Sequence, residues 1–279
     1  MSLRINNNVA ALNSYRNLAA TNVQMGKSLE KLSSGFRINR AADDAAGLVK
    51  SESLRAEIRG NQGAIKNAQD GISFVQTAEG ALNEVHAILQ RMRELAIDAA
   101  NTATTDGVAQ QLEISELAAE LDSIGTRTKF ATNNVFQDYS ASGAALTFQI
   151  GANAGDELVF NSNLTMNAAA FSIDANATTP EIDVSADASA AIAAIDTAIS
   201  DVSTIRSNLG AKQNRLEHTI NNLNVAVENL TASESRVRDT DMAIEMANFT
   251  RHQILTQAGT AMLAQANQVP QNVLQLLQR

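Results

Sequence analysis

The sequence predicts a mainly α protein, a long antiparallel helical bundle or coiled coil formed from both chain ends, with a small β-hairpin region in the middle. Three observations carry this. Apolar residues recur at alternating steps of three and four over very long stretches, as in a coiled-coil seam. Only two prolines, Pro180 and Pro270, interrupt 279 residues, so little breaks a helix. Between about 130 and 184 the apolar period changes to two, the alternation of half-buried strands.

The elements follow in chain order. Ile5, Val9 and Leu12, then Leu18, Met25, Leu29 and Leu32, form an apolar stripe that drifts around a first helix. Asp43 and Asp44 come next, in "NRAADDAAG". Neighbours on a helix point about 100° apart, so the two carboxylates do not converge on one acid–base or cation site. A helix N-terminus stabilises them as plain anions, and a structural or interface role is expected.

A second helix carries the seam Val75, Ala78, Leu82, Val85, Leu89, Met92 and Ala96, extended backwards by Ile65, Ala68 and Ile72. The polar "NTATTDG" reads as a loop. A shorter seam follows in Ile114, Leu117, Leu121 and Ile124, beside an acidic face of Glu113, Glu116, Glu120 and Asp122 that reads as solvated. Leu146, Phe148 and Ile150 then alternate with polar residues, "GANAGDE" supplies turn chemistry, and Leu158 and Phe160 alternate again. Phe171 with Ile173 and Ile182 with Val184 are weaker strand signals.

The longest seam is Ile192, Ile195, Ile199, Val202, Arg206, Leu209, Gln213, Leu216, Ile220, Leu223, Val227 and Leu230. At ~1.5 Å per residue such a helix runs nearly ~60 Å. Arg206 and Gln213 read as register-setting polar positions within it. The chain finishes on another apolar stripe: Ile254, Ala258, Met262, Ala266, Val269, Val273 and Leu276, with Leu277 beside it.

Composition restricts the function classes. Aromatics are 4% of the chain and Trp is absent, so the expected core is aliphatic and thin. The formal net charge of −9 is uneven: the first sixty residues are mildly basic, while from about 101 to 205 the only cations are Arg127 and Lys129. An outer region of that sign repels polyanions, and no nucleic-acid binding is expected. Cysteine is absent, which removes disulfides, thiolate metal sites and a Cys nucleophile. His86, His218 and His252 are far apart and in no ligand spacing, and no phosphate-binding loop, nucleophile elbow or dinucleotide fingerprint occurs. Neither an enzyme nor a cofactor is expected. No stretch approaches the ~20 apolar residues of a membrane span, and the N-terminus lacks the apolar run of a cleaved signal.

What remains is long seams and two apolar ends without a site. Two terminal helices side by side bury only one seam, leaving considerable apolar surface wet. A self-assembling structural subunit resolves this, because neighbouring copies cover what one copy exposes.

The segments "MSLRINNNVAALNSYRNL", "SLEKLSSGFRINRAADDAAGLVKSESLRAEIRG", "QDGISFVQTAEGALNEVHAILQRMRELAIDAAN" and "DTDMAIEMANFTRHQILTQAGTAMLAQANQVPQNVLQLL" resemble bacterial flagellin, the subunit of the flagellar filament. "FQIGANAGDELVF" resembles that family's β-hairpin segment. The resemblance implies an inner domain of about 1–40 with 240–279 lining the filament channel. It places an outer bundle domain at 41–239, with its β-hairpin region at about 130–184. It also implies terminal segments that order only on assembly, export without a cleaved signal through the flagellar type III channel, and an extracellular filament of many copies. A flagellin chaperone, a cap protein and hook-associated proteins are implied as partners. A hook–filament junction protein shares the terminal pattern and is the alternative, which the "ANQVPQNVLQLL" ending disfavours. Large outer domains of longer members are missing here, so a minimal filament surface of bundle and hairpin is expected. Arg91 and Leu95 match positions that innate immune receptors of the Toll-like class recognise in some flagellins, and Glu113 matches their acidic partner.

Overall fold

A computed structural model of the chain describes residues 8–101, 107–136, 146–160, 183–184 and 187–277, the last nine of these as backbone only. Five helices dominate: α1 (Val9–Ser34), α2 (Ala45–Ala99), α3 (Val108–Arg127), α4 (Ala188–Arg238) and α5 (Met242–Leu277). Among the described residues, four short strands lie between α3 and α4: β1 (Lys129–Phe130), β2 (Asn133–Asn134), β3 (Leu146–Gln149) and β4 (Glu157–Phe160). The fold is thus mainly helical, its end helices paired, and the described residues include two small antiparallel strand pairs in the middle of the chain. Ile5, Phe171, Ile173 and Ile182 lie outside the described residues.

The chain divides into two compact units, Met1–Ala56 with Asn229–Arg279, and Glu57–Glu228. In the second, α2, α3 and α4 share one aliphatic core. Val75, Leu82, Leu89 and Met92 of α2 are fully buried in it, as are Ile114 and Leu121 of α3 and Ile195, Val202 and Leu216 of α4. Leu209 is buried too, while Ile199 and Ile220 are partly buried against the same cluster. Leu223 is half-buried at the end of this unit, and Val227 likewise. The ion pairs Arg93–Asp196 (2.6 Å) and Arg206–Glu79 (3.9 Å) fix α2 and α4 antiparallel. Of the two polar seam positions, Arg206 reaches across to Glu79 of α2, whereas Gln213 donates to Glu217 on its own helix (3.0 Å). Their long side chains snorkel to the seam's edge rather than pay for burial.

The β3–β4 hairpin pairs Leu146 with Phe160 and Gln149 with Glu157. Its inward face does more than decorate the surface. Phe148 and Phe160 meet Phe74 of α2 at 5.9 and 5.5 Å between centroids, and Phe130 of β1 reaches Phe74 edge-on at 5.9 Å. Four of the chain's eight phenylalanines thus gather in one place, where the sequence reading expects only aliphatic packing. Lys212 of α4 donates to the Val159 carbonyl (2.8 Å) with its ammonium over the Phe160 ring (4.4 Å), and Asn67 of α2 donates to the Gln149 carbonyl (3.0 Å). Val184 is buried in the core as part of a turn rather than a strand. Among the described residues α4 is also the one helix long and apolar enough by composition to cross a membrane, contrary to the sequence reading; Ala191, Ile195, Ala198 and Val202 within it are buried in the protein core.

Candidate assembly interface

The first unit is built on the α1–α5 pair. Asn8 caps α1 by accepting from the Ala11 N–H (3.0 Å), and its amide donates across to the Ala266 carbonyl of α5 (2.7 Å). Gly35 ends the helix at φ 75°, the left-handed conformation that a glycine adopts without strain, and its N–H returns to the Lys31 carbonyl. Leu18 lies against Gly259, and Asn22 faces Thr256, so the helices run antiparallel.

The positions turned inward are small or polar: Ala11, Ser14, Thr21 and Ser28 on α1, and Thr256, Gly259 and Ala266 on α5, with Leu18, Met25 and Leu263 among them. Other large apolar residues are turned outward. Val9 is 68% exposed and Ile254 59%, and Leu12, Leu29 and Met262 are similarly open. Ala258 is exposed and Leu32 half-buried. Val269, Val273, Leu276 and Leu277 lie on the last turns of α5, described as backbone only. The drifting stripe read from the sequence therefore divides: Leu18 and Met25 face α5, while Val9, Leu12 and Leu29 face outward.

Residues 35–44 connect α1 to α2. Phe36 and Asp239 form an antiparallel bridge, with Arg37 N–H donating to the Arg238 carbonyl (2.7 Å) and Thr240 N–H to that of Gly35 (3.0 Å). Asp44 stands just before α2 and accepts from the Gly47 N–H (2.8 Å). Asp43 accepts from the N–H groups of Arg40 (3.0 Å) and Asn39 (3.2 Å), and the Arg40 bond chiefly holds its carboxyl below the usual carboxylate range. Neither shares a site with the other. Which residues fill the cap and which the turn depends on where α2 starts, which the sequence pattern does not resolve.

In the second unit, Arg91 pairs with Glu113 of α3 (2.8 Å) and with Glu94 (3.3 Å), and these hydrogen bonds, Glu113 first, raise the guanidinium above its ordinary pKa. Both Arg91 and Glu113 are exposed, whereas Leu95 is only 6% exposed and belongs to the core. Among the described residues no three His, Asp or Glu converge as metal ligands. The histidines sit singly on three helices; the Nδ1 atoms of His86 and His252 are buried without hydrogen-bond partners.

These features define a class: a mainly helical structural subunit whose end helices pair through small residues and turn their large apolar ones outward. The profile of the bacterial flagellin N-terminal helical region matches residues 5–141, and that of the bacterial flagellin C-terminal helical region matches 192–277. The chain is 51% identical to a flagellin of Bacillus subtilis strain 168 over 99% of its own length and 100% of that protein. It is 50% identical to a flagellin of Halalkalibacterium halodurans, covering 98% of this chain and 99% of that one. With the flagellar filament 33 kDa core protein of Treponema phagedenis the identity is 46%, over the same shares of the two chains. The crystal structure of Bacillus cereus flagellin superposes with a TM-score of 0.45 and 29% identity, over 57% of this chain and 88% of that one. The chain belongs to the bacterial flagellin family.

Proposed function

We propose that this protein is a structural subunit of the bacterial flagellar filament, and that the outward apolar faces of α1 and α5 are the surfaces through which copies assemble. It is a filament protein rather than an enzyme, and it acts outside the cell in a polymer of many copies. The observation that carries the assembly reading is the exposure of Val9, Leu12, Leu29, Ile254 and Met262 on a helix pair whose most buried positions, Ser28 and Ala266, are small. At about 25 cal/mol per Å², several such side chains left in water forfeit a few kcal/mol that burial against neighbours recovers. The names of the whole-length relatives, flagellin and flagellar filament core protein, favour the filament over the hook–filament junction.

Finer parts of the reading follow from membership of the family. Residues of about 1–40 with 240–279 form the inner domain lining the channel, and 41–239 the outer bundle domain; the division of the chain into two compact units supports a separation of this kind. Asp43 and Asp44 serve the inter-subunit contact by holding the turn that precedes α2. The subunit leaves the cell unfolded through the flagellar type III channel without a cleaved signal, a flagellin chaperone shielding its C-terminal helix beforehand. A cap protein and hook-associated proteins are its neighbours at the ends of the filament. Recognition by a Toll-like receptor rests on the exposed Arg91–Glu113 pair, with Leu95 supporting it from the core.

Electron microscopy of the full chain seeded with filament fragments tests the function, beside a version lacking residues 1–40 and 245–279. Long filaments from the full chain alone are expected. Monomers from both would move the reading to the hook–filament junction protein or to a chain that needs a partner to polymerise.

A further inference from the structure

Within the 57–228 unit one buried polar side chain has no partner. Asn61 continues the α2 seam backwards from Ile65 and Ala68, and it is only 6% exposed. Among the described residues its side-chain amide makes no hydrogen bond. A polar residue in a seam sets register by meeting a polar partner across it, and Asn61 meets none. Its side chain instead lines an open pocket of about 360 Å³ between α2, α4 and the turn of the β3–β4 hairpin. The turn forms one wall. A Cβ built on Gly60 would stand 2.8 Å from that of Ala152, so the wall comes this close because α2 has no side chain at that position. Asp156 folds back on the same wall, accepting from the Asn153 N–H (3.3 Å). Arg215 of α4 and Glu157 of β4 also line the pocket, and both are exposed. Among the described residues neither makes an ion pair, with the other or with a third group. Burial first, and then the charge of Arg215, lowers the pKa of Lys212, so this guanidinium stands beside a like charge.

We propose that this pocket is a second assembly contact, beside the apolar faces of α1 and α5, and that a side-chain amide of a neighbouring copy enters it to bond Asn61, Arg215 and Glu157. This rests on the filament reading given above: in a polymer the neighbour is always present, and it is another copy of this chain. The lining selects the chemistry. An entering carboxylate meets the like charge of Glu157 and an entering ammonium that of Arg215, whereas an amide donates and accepts through one uncharged planar group. Asn61 presents the same requirement, since its own amide carries both donors and an acceptor. A space of this size admits one side chain with ordered water beside it. While the pocket is open, water satisfies Asn61. Once a neighbour closes it, the group that displaces the water has to supply those bonds, because a buried amide left without them costs more than an ordinary hydrogen bond gains.

Asn61→Leu, made in the full chain, keeps the side chain's size, removes its polar atoms and separates an assembly contact from a seam residue. The thermal transition of the 57–228 unit is expected to stay or rise, since an apolar side chain suits a buried seam position. The critical concentration for seeded growth is expected to rise about tenfold, the scale for a polar group closed off without its partner. Unchanged growth overturns the proposal and leaves Asn61 bonded to water in the free subunit and the filament alike. Arg215→Ala and Glu157→Ala identify the occupant; they alter exposed side chains and keep the test decisive should Asn61→Leu unsettle the seam. An amide loses a bond in each, so both are expected to raise the critical concentration by about fivefold. Changes of opposite direction mean a charged occupant and overturn the assignment. Because the chain has no cysteine, Asn222→Cys places a single thiol at the pocket. Copolymerised as a minor fraction with the parent, it is expected to react with a maleimide several-fold more slowly than in free subunits, and equal rates overturn a second copy as the occupant. Should the parent chain itself fail to elongate from seeds, the filament reading falls and this contact with it; a parent and an Asn61→Leu chain that elongate equally remove this contact alone.

Discussion

Asp43 and Asp44 stand side by side yet serve different stretches of backbone. Asp44 satisfies an N–H at the start of α2, which otherwise has no intrahelical partner; Asp43 closes the turn before it. Replacing Asp44 with Ala is expected to cost about 1 kcal/mol, and with Asn almost nothing, measured by amide exchange at Gly47 and Leu48. Gly47→Ala would ordinarily gain up to about 1 kcal/mol in a helix. Here its Cβ would stand 2.5 Å from Asp44 Oδ2 and 2.6 Å from Ile38 Cδ1, so a net loss is expected, with exchange at Leu48 accelerated. Because the folded pKa of Asp43 is lowered, its contribution is fully present above the ordinary carboxylate value and disappears as pH falls through the folded one. Amide exchange at Asn39 and Arg40 should accelerate over that acid window in the parent and show no such step in Asp43→Asn. A helix N-terminus near this pair was legible from its carboxylates, but the division of labour was not, because boundaries read from periodicity shift by a residue or two.

At the scale of elements, legibility follows the length of the repeat. The α2 seam, read over several heptads, coincides with the buried Val75, Leu82, Leu89 and Met92. On α4 the small Ala191 and Ala198 are buried where the pattern favours the larger Ile192 and Ile199, because close helix approach rewards small residues. Phe148 and Phe160 were legible as apolar positions of the alternating hairpin, but their meeting with Phe74 and Phe130 was not, because no period relates residues of separate elements. Leu89→Ala should therefore lower stability by roughly 2–5 kcal/mol in denaturant unfolding, and half-buried Ile199→Ala by clearly less. Lys212 is a different case. Burial, and then the charge of Arg215, lowers its pKa, so the unfolded chain binds more protons than the folded one just below the ordinary lysine value. Stability due to Lys212 rises with pH across that window. The difference in thermal midpoint between the parent and Lys212→Met should shift toward the parent as pH is raised through it, a trend that an unshifted lysine would not produce.

For the whole molecule, the two units divide the tasks of folding and assembly. The 57–228 unit buries its large aliphatic residues in its own core, whereas the α1–α5 pair buries small ones and exposes large ones. The apolar ends were legible as surfaces lacking a cover, but their split into inner and outer faces was not, since a drifting stripe does not say which side a partner helix takes. The consequence is a separation of phenotypes. Leu12→Asp combined with Ile254→Asp places two charges on exposed positions, touches no core residue of the 57–228 unit, and should move that unit's thermal transition by no more than surface substitutions do, about 0.5 kcal/mol. Each charge would nevertheless have to be desolvated wherever a neighbouring copy covers that face, a cost of several kcal/mol per subunit contact. Seeded elongation by this variant, followed by light scattering and microscopy, should be abolished while its far-ultraviolet dichroism matches the parent. Normal elongation would transfer assembly to the surface of the 57–228 unit, since no hydrophobic contact through α1 and α5 could survive carboxylates at both positions.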